Sequence, residues 1–182
     1  MRDRYSKRKG AQTMEKAIVI GCPGSGKSTF ARRLSKATGL PLFYLDMLYH
    51  KPDKTTYSKE AFDAKLARVL AQERWIIDGN YERTLSARID RCDTVFWFDL
   101  PTKVCLAGIE ARRGKPREDM PWIETEPDEE FVAFVKDFKT GYAPRMARLL
   151  QAAEGKEIHV FTSREMADAY LEGSEGRSAC CR

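Results

Sequence analysis

Histidine is nearly absent from this chain. His50 and His159 are the only two in 182 residues, and neither stands at metal-ligand spacing from a cysteine. A histidine–cysteine metal centre is therefore not expected. The five cysteines, Cys22, Cys92, Cys105, Cys180 and Cys181, form no Cys-x-x-Cys knuckle. Their odd number and scatter fit reduced thiols in a cytoplasmic setting. Long apolar runs are missing too: stretches such as Ala17–Ile20 and Val95–Phe98 fall far short of the ~18 residues needed to cross a bilayer. The basic N-terminus has no apolar stretch behind it, so neither Sec-type export nor membrane spanning is expected. The chain also lacks the D-x-x-G and N-K-x-D pair of a GTPase and the S-G-G-Q signature of an ABC ATPase.

A strong charge of one sign is missing from the body as well. The formal charge is +5. Arg2, Arg4, Lys7, Arg8 and Lys9 against Asp3 put +4 of it in residues 1–13. Arg177 and Arg182 against Glu175 add +1 in residues 173–182, so residues 14–172 are neutral. A neutral body with a basic tail is weak evidence for a nucleic-acid-binding domain, and a bland solvated tail is the plainer reading. The expected organisation is a basic disordered tail over 1–13, one domain over 14–172 and a second disordered tail over 173–182. At 42% hydrophobic and 32% charged residues the chain is globular in composition, and its length suits one domain.

What is present is an alternation of short apolar runs with helical spacing. Ala17–Ile20, Leu42–Leu45, Trp75–Ile77, Thr94–Phe98 and Glu157–Phe161 read as five strands, with Leu42–Leu45 ending at Asp46. Between them, Phe30, Leu34 and Ala37 share one helical face, as do Phe62, Leu66, Val69 and Leu70 behind Ser58 as N-cap. Phe131, Phe134, Val135 and Phe138 form a helical stripe of core type, interrupted by Gly141 and Pro144. Thr162-x-x-Glu165 reads as a capping box for a last helix ending near Leu171. Strands alternating with helices imply an α/β fold, a parallel sheet covered by helices on both faces.

The strongest motif is Gly21-Cys22-Pro23-Gly24-Ser25-Gly26-Lys27-Ser28, which satisfies G-x-x-x-x-G-K-[ST] directly after a strand and before a helix. Glycines let backbone N–H groups turn inward around phosphate oxygens, where a Cβ would crowd the ligand. Lys27 is placed for the β- and γ-phosphates of ATP, and the Ser28 hydroxyl for Mg²⁺. The following helix offers its N-terminal dipole. Gly21, Pro23, Gly24, Ser25, Gly26, Lys27, Ser28 and Thr29 are therefore the expected ATP-binding residues.

This loop resembles that of adenylate-kinase-type enzymes. A closer likeness runs through Leu45-Asp46, Lys51-Pro52, Trp75-Ile76-Ile77-Asp78-Gly79-Asn80-Tyr81 and Gly114-Lys115-x-Arg117-x-Asp119-Met120. Together these resemble the bacterial topology modulation proteins, adenylate-kinase-related P-loop proteins, over about residues 15–171. That resemblance implies a P-loop three-layer sandwich with five parallel strands in the order 2-3-1-4-5, ATP as cofactor, and an arginine-rich lid at about 112–127. Asp78, ending a strand, takes the position of the Mg²⁺-associated carboxylate, with a structural cap of the turn as the plain alternative. Asp46 either orients an acceptor hydroxyl as base or assists the metal, or simply ends a strand. Asn80, Tyr81, Arg83 and Arg88 are candidates for the acceptor pocket. Adenylate kinases place Pro-Arg two residues after Asp-Gly; Asn80-Tyr81-Glu82-Arg83 departs from that and argues against a nucleoside monophosphate. In the lid, Arg112, Arg113 and Arg117 either supply charge to the transferring phosphoryl group or form a solvated basic stretch. Trp122 and Glu124–Glu130 either form part of an acceptor-side cover or, the plainer reading, are surface and a helix N-terminus, and His50 is read as a loop histidine.

The function expected is transfer of the γ-phosphate of ATP to an unidentified small molecule, with no membrane partner. The alternative is an ATP-binding regulator acting on DNA topology, motivated by the family name and the basic tail.

Overall fold

Five strands carry the architecture: β1 (Lys16–Gly21), β2 (Leu42–Tyr44), β3 (Trp75–Asp78), β4 (Thr94–Phe98) and β5 (Glu157–Phe161). All pair in parallel, in the order β2-β3-β1-β4-β5. This is the α/β P-loop order that the motifs implied. The structure is a computed structural model and describes residues 14–126 and 128–178. The basic tail read at 1–13, and the DNA-binding alternative that leaned on it, lie outside the described residues.

Eight helices connect the strands among the described residues: α1 (Lys27–Thr38), α2 (Leu45–Tyr49), α3 (Lys59–Leu70), α4 (Glu82–Arg91), α5 (Thr102–Arg112), α6 (Glu129–Asp137), α7 (Ala143–Ala152) and α8 (Arg164–Ser178). A β–α–β crossover between parallel strands is right-handed. The leftward step from β1 to β2 therefore puts α1 on one face, where it packs on α8. The rightward steps put α3, α4 and α5–α7 on the other. Covered on both faces, the central strands are apolar throughout: Ala17, Ile18, Val19 and Ile20 are fully buried, as are Trp75, Ile76 and Ile77. Phe30 of α1 packs its ring 4.9 Å from Phe96 and 5.3 Å from both Phe98 and Phe161, fixing α1 over β4 and β5.

Four local readings change. β2 stops at Tyr44, because Leu45 turns under Gly79 and is fully buried there; Asp46 thus stands in the first turn of α2 rather than at a strand end. The expected break at Gly141 and Pro144 is a π turn, Phe138–Tyr142, that joins α6 to α7. Pro144 falls in the first turn of α7, where no intrahelical N–H bond is lost. At α8 the cap is Ser163, whose Oγ accepts from Met166 N at 3.3 Å, while the Thr162 hydroxyl donates to Met166 Sδ. Finally, α8 runs to Ser178, past the end read near Leu171. The Ser58 cap of α3 is as read, accepting from Ala61 N at 3.2 Å.

β1 lies between β3 and β4. Connections leave the sheet in opposite directions there, opening a crevice at the carboxyl ends of these strands. The glycine-rich loop follows β1, and Asp78 ends β3 beside it, in register with Val19.

Candidate active site

A cleft of about 850 Å³ opens at that crevice, with Lys27, Ser28, Asp78 and Asp46 in its walls. The phosphate loop is shaped from behind by the protein itself. A Cβ on Gly24 would lie 2.1 Å from Cys105 O, and one on Gly21 would lie 2.3 Å from Phe98 O; both glycines have positive φ. These glycines are demanded by neighbouring backbone, not only by a ligand. Asn80 clamps the start of the loop: its Oδ1 accepts from Gly21 N at 3.0 Å and its Nδ2 donates to Gly21 O at 2.9 Å. Arg164, first residue of α8, holds the other side, donating to Ser25 O at 3.2 Å and Gly24 O at 2.9 Å. Cys22 and Cys105 are buried under the loop and share a hydrogen bond, which with burial pushes the Cys22 thiol up. The same hydrogen bond pulls the Cys105 thiol down, and both side chains pack in the core beneath the loop.

Lys27 is 8% exposed and donates from Nζ to Cys22 O at 2.9 Å. Burial pulls its ammonium below the ordinary lysine value, with Asp78 opposing. Asp78 is 5% exposed, and burial lifts its carboxyl to about 6, with Lys27 opposing. Asp78 Oδ1 is buried without a hydrogen-bond partner. The Ser28 hydroxyl donates to Asp119 Oδ2 at 2.9 Å. A hydroxyl, an orphaned carboxylate oxygen and a second carboxylate around one end of the cleft form the all-oxygen donor set that a Mg²⁺ ion accepts. Thr29 is exposed on α1 and accepts from Arg32 at 3.4 Å, outside the cleft wall.

Across the cleft stands Asp46. Burial raises its pKa, and the Tyr81 hydroxyl, donating to Asp46 Oδ1 at 2.8 Å, opposes the rise. Tyr81 caps α4 at φ 40°, a left-handed conformation that costs a non-glycine residue of order 1–3 kcal/mol. The ring is held between Tyr49 and Phe62, each 5.2 Å away. His50, expected as a plain loop histidine, lines the cleft with its ring 5.0 Å from Trp122. Trp122 and Glu124 line it too, the acceptor-side cover that stood as the alternative to a plain surface; Phe131 is both cleft wall and core, whereas Phe134, expected in the core stripe, is 39% exposed and lines the cleft.

Two residues expected at the acceptor stand elsewhere. Arg88 is fully buried and its guanidinium donates to the carbonyls of Gly79 (2.8 Å), Asn80 and Tyr81 (3.0 Å), outside the cleft wall. It braces the turn after β3. Arg83 turns outward and forms a two-bond pair with Asp63 of α3 at 2.8 and 2.7 Å. Asn80 reaches the cleft wall, but both ends of its amide are spent on Gly21.

The arginine-rich segment closes into a loop where Gly114 N donates to Glu124 O at 2.7 Å. Arg112 and Arg113 line the cleft. Arg112 lies 3.5 Å from Glu124, and Arg113 pairs with Glu110 at 2.6 Å. Arg117 sits behind them, 3.0 Å from Glu124 and 3.5 Å from Asp119. Asp119 and Arg164 are the residues that sequence reasoning left without a role. Asp119 lay inside a quoted motif, whereas Arg164 carried no local signal.

No family model matches this chain. It is 56% identical over 32 residues to the shikimate kinase of Rhodococcus jostii (strain RHA1), covering 18% of this chain and 19% of that enzyme. It is 53% identical over 36 residues to the shikimate kinase of Mycobacterium leprae (strain TN), covering 20% and 18%. The chain thus spans about a fifth of the length of the curated relatives it matches. Among solved structures, shikimate kinase from Bacteroides thetaiotaomicron superposes with a TM-score of 0.56 at 16% identity, covering 91% of this chain and 96% of that one. Shikimate kinase from Acinetobacter baumannii in complex with shikimate gives 0.55 at 14%, covering 88% and 92%. These likenesses show the fold, that of a shikimate-kinase-like P-loop kinase. Among the described residues no helix is long and apolar enough to cross a membrane.

Proposed function

We propose that this protein is an ATP-dependent phosphotransferase acting on a hydroxyl group of a small molecule. The observation that carries the reading is one cleft with Lys27, Ser28 and Asp78 on one side and the Asp46–Tyr81 pair on the other. ATP lies on the 21–28 loop, with Lys27 leaving Cys22 O to meet the β- and γ-phosphates. Ser28 and Asp78 hold Mg²⁺, which neutralises charge on the phosphates when bound. The acceptor hydroxyl stands at Asp46. Its oxygen attacks the γ-phosphorus, the bond to the β–γ bridging oxygen breaks, and its proton passes to Asp46. Arg112 and Arg113, on the cleft wall, face the charge spread over the transferring oxygens.

With Arg83 and Arg88 engaged elsewhere, the cations left on the cleft wall are Lys27, Arg112 and Arg113, which this reading gives to the phosphates, and the exposed Lys54. The acceptor that fits best is therefore an uncharged polyhydroxyl compound rather than shikimate or a nucleoside monophosphate. The motif likeness to topology modulation proteins supports the kinase-related reading but names no acceptor. The test is Mg²⁺-dependent ADP release with shikimate, nucleoside monophosphates and uncharged polyols, beside Lys27→Ala as blank. Stimulation by a polyol above the water-only rate is expected. ADP release by Lys27→Ala at the wild-type rate would refute the reading.

A further inference from the structure

We infer that Asp119, on the loop between α5 and α6, supplies an oxygen to the divalent cation held by Ser28 and Asp78, so that metal binding and lid position are one event. The inference rests on the phosphotransferase reading above. Three observations carry it. Asp119 is only 6% exposed although it belongs to a segment without regular secondary structure, and its Oδ2 accepts from the Ser28 hydroxyl at 2.9 Å. Asp78 is 95% buried by the same measure, lines the cleft, and has Oδ1 buried with no partner. Arg117, at 3.5 Å, is the cation nearest the oxygen that Ser28 meets, and Glu124 shares that guanidinium at 3.0 Å.

The charge count explains why such a carboxylate would be brought here. Asp46 across the cleft and Asp78 and Asp119 at its Ser28 end act on one another electrostatically. Lys27, Arg112 and Arg117 together do not fully offset Asp46, Asp78, Asp119 and Glu124, of which Asp78 and Asp119 are buried. A divalent cation does, and a hard cation prefers carboxylate and hydroxyl oxygens. The Ser28 hydroxyl can offer a lone pair to the metal while its proton still points to Asp119. Because Asp119 lies five residues beyond Gly114, whose φ of 72° gives the chain its turn out of α5, anchoring Asp119 sets the position of Arg112 to Arg117 as well. A lid held only by phosphate contacts would need no buried carboxylate aimed at Ser28.

The test measures binding of a non-hydrolysable ATP analogue by calorimetry over a range of Mg²⁺, with Mn²⁺ spectroscopy of the ternary complex, in the full-length protein. Asp119→Asn should weaken metal affinity in the ternary complex about tenfold, while metal-free analogue affinity stays within about twofold. Asp119→Glu should recover most of the loss and keep the Mn²⁺ signal of the wild type. If Asp119→Asn fails to fold, Asp119→Ser, smaller and uncharged, repeats the measurement. A metal dependence within about twofold of wild type overturns the inference. So does tighter binding with and without metal by the same factor, which would make Asp119 a plug that leaves when nucleotide arrives. If the wild type binds no analogue even with Mg²⁺, the phosphotransferase reading falls, and this inference with it.

Discussion

Replacing Arg88 by alanine separates two roles that one residue type can play. A substrate-binding arginine contributes little to stability, and its loss raises the acceptor KM. A buried brace does the reverse. Arg88 donates to three backbone carbonyls, Gly79, Asn80 and Tyr81, and charged hydrogen bonds contribute about 1.5–3 kcal/mol each. Against this, burial lowers its pKa from 12.5 to about 10, a cost of about 3 kcal/mol for keeping the charge inside. The difference is about 2–6 kcal/mol, in line with the 3–5 kcal/mol typical when one partner of a buried polar cluster is removed. Arg88→Ala should therefore lose about 4 kcal/mol, moving the urea midpoint by about 2 M at a slope near 2 kcal/mol/M. Arg88→Met, which fills the space but leaves the carbonyls unpaired, should lose nearly as much. ATP affinity should fall in both, because the turn carries Asn80 and hence Gly21. A loss below about 1 kcal/mol with a raised acceptor KM would refute the brace and restore the substrate role.

Asn80→Ala removes both bonds to Gly21; it should cost about 2 kcal/mol of stability and weaken ATP binding about tenfold by calorimetry, with no separate effect on acceptor KM. A change confined to acceptor KM would return Asn80 to the acceptor pocket. Asp78 predicts a pH signature in metal-free protein: its carboxyl is raised from 3.8 to about 6, so the folded state holds a proton that the unfolded chain has released in that window. Its stabilising contribution is full below about pH 4 and lost above about pH 6, so Asp78→Asn should gain on wild type as pH rises, by at most about 3 kcal/mol. Denaturant melts that show a constant difference from pH 4 to 8 would contradict the assignment.

What was legible in the sequence is what short-range sterics dictate. Apolar runs such as Thr94–Phe98 have no alternative to burial, and both that strand and Glu157–Phe161 begin and end where their composition says. The glycine-rich loop was legible because Gly-Lys-Ser after a strand leaves the backbone few conformations, while the strand order came from resemblance. The partners of charged and amide side chains were not legible. Arg83 chose Asp63, twenty residues back; Arg164 chose a loop 139 residues away. Each choice depends on which elements the sheet order brings together, and no local window contains it. Leu45 fails for a related reason: its apolar run continues β2 in one dimension, but Gly79 leaves room for a buried leucine only if the chain turns there.

The glycines of the loop show how the two kinds of constraint meet. Read locally, Gly24 is needed because a side chain would crowd a phosphate. In the fold, its missing Cβ would strike Cys105 O at 2.1 Å, and Gly108 on the same helix would meet Gly24 O at 2.0 Å if it bore a Cβ. The loop and α5 are thus in backbone contact, and α5 ends at Arg112, where the arginine-rich segment begins. A helix that touches the phosphate loop along Cys105–Ile109 and leads into the arginine-rich segment at Arg112 ties the positions of the two together. The loop and the arginines are separate signals in the sequence; the close packing of Gly24 on Gly108 couples their positions in the fold.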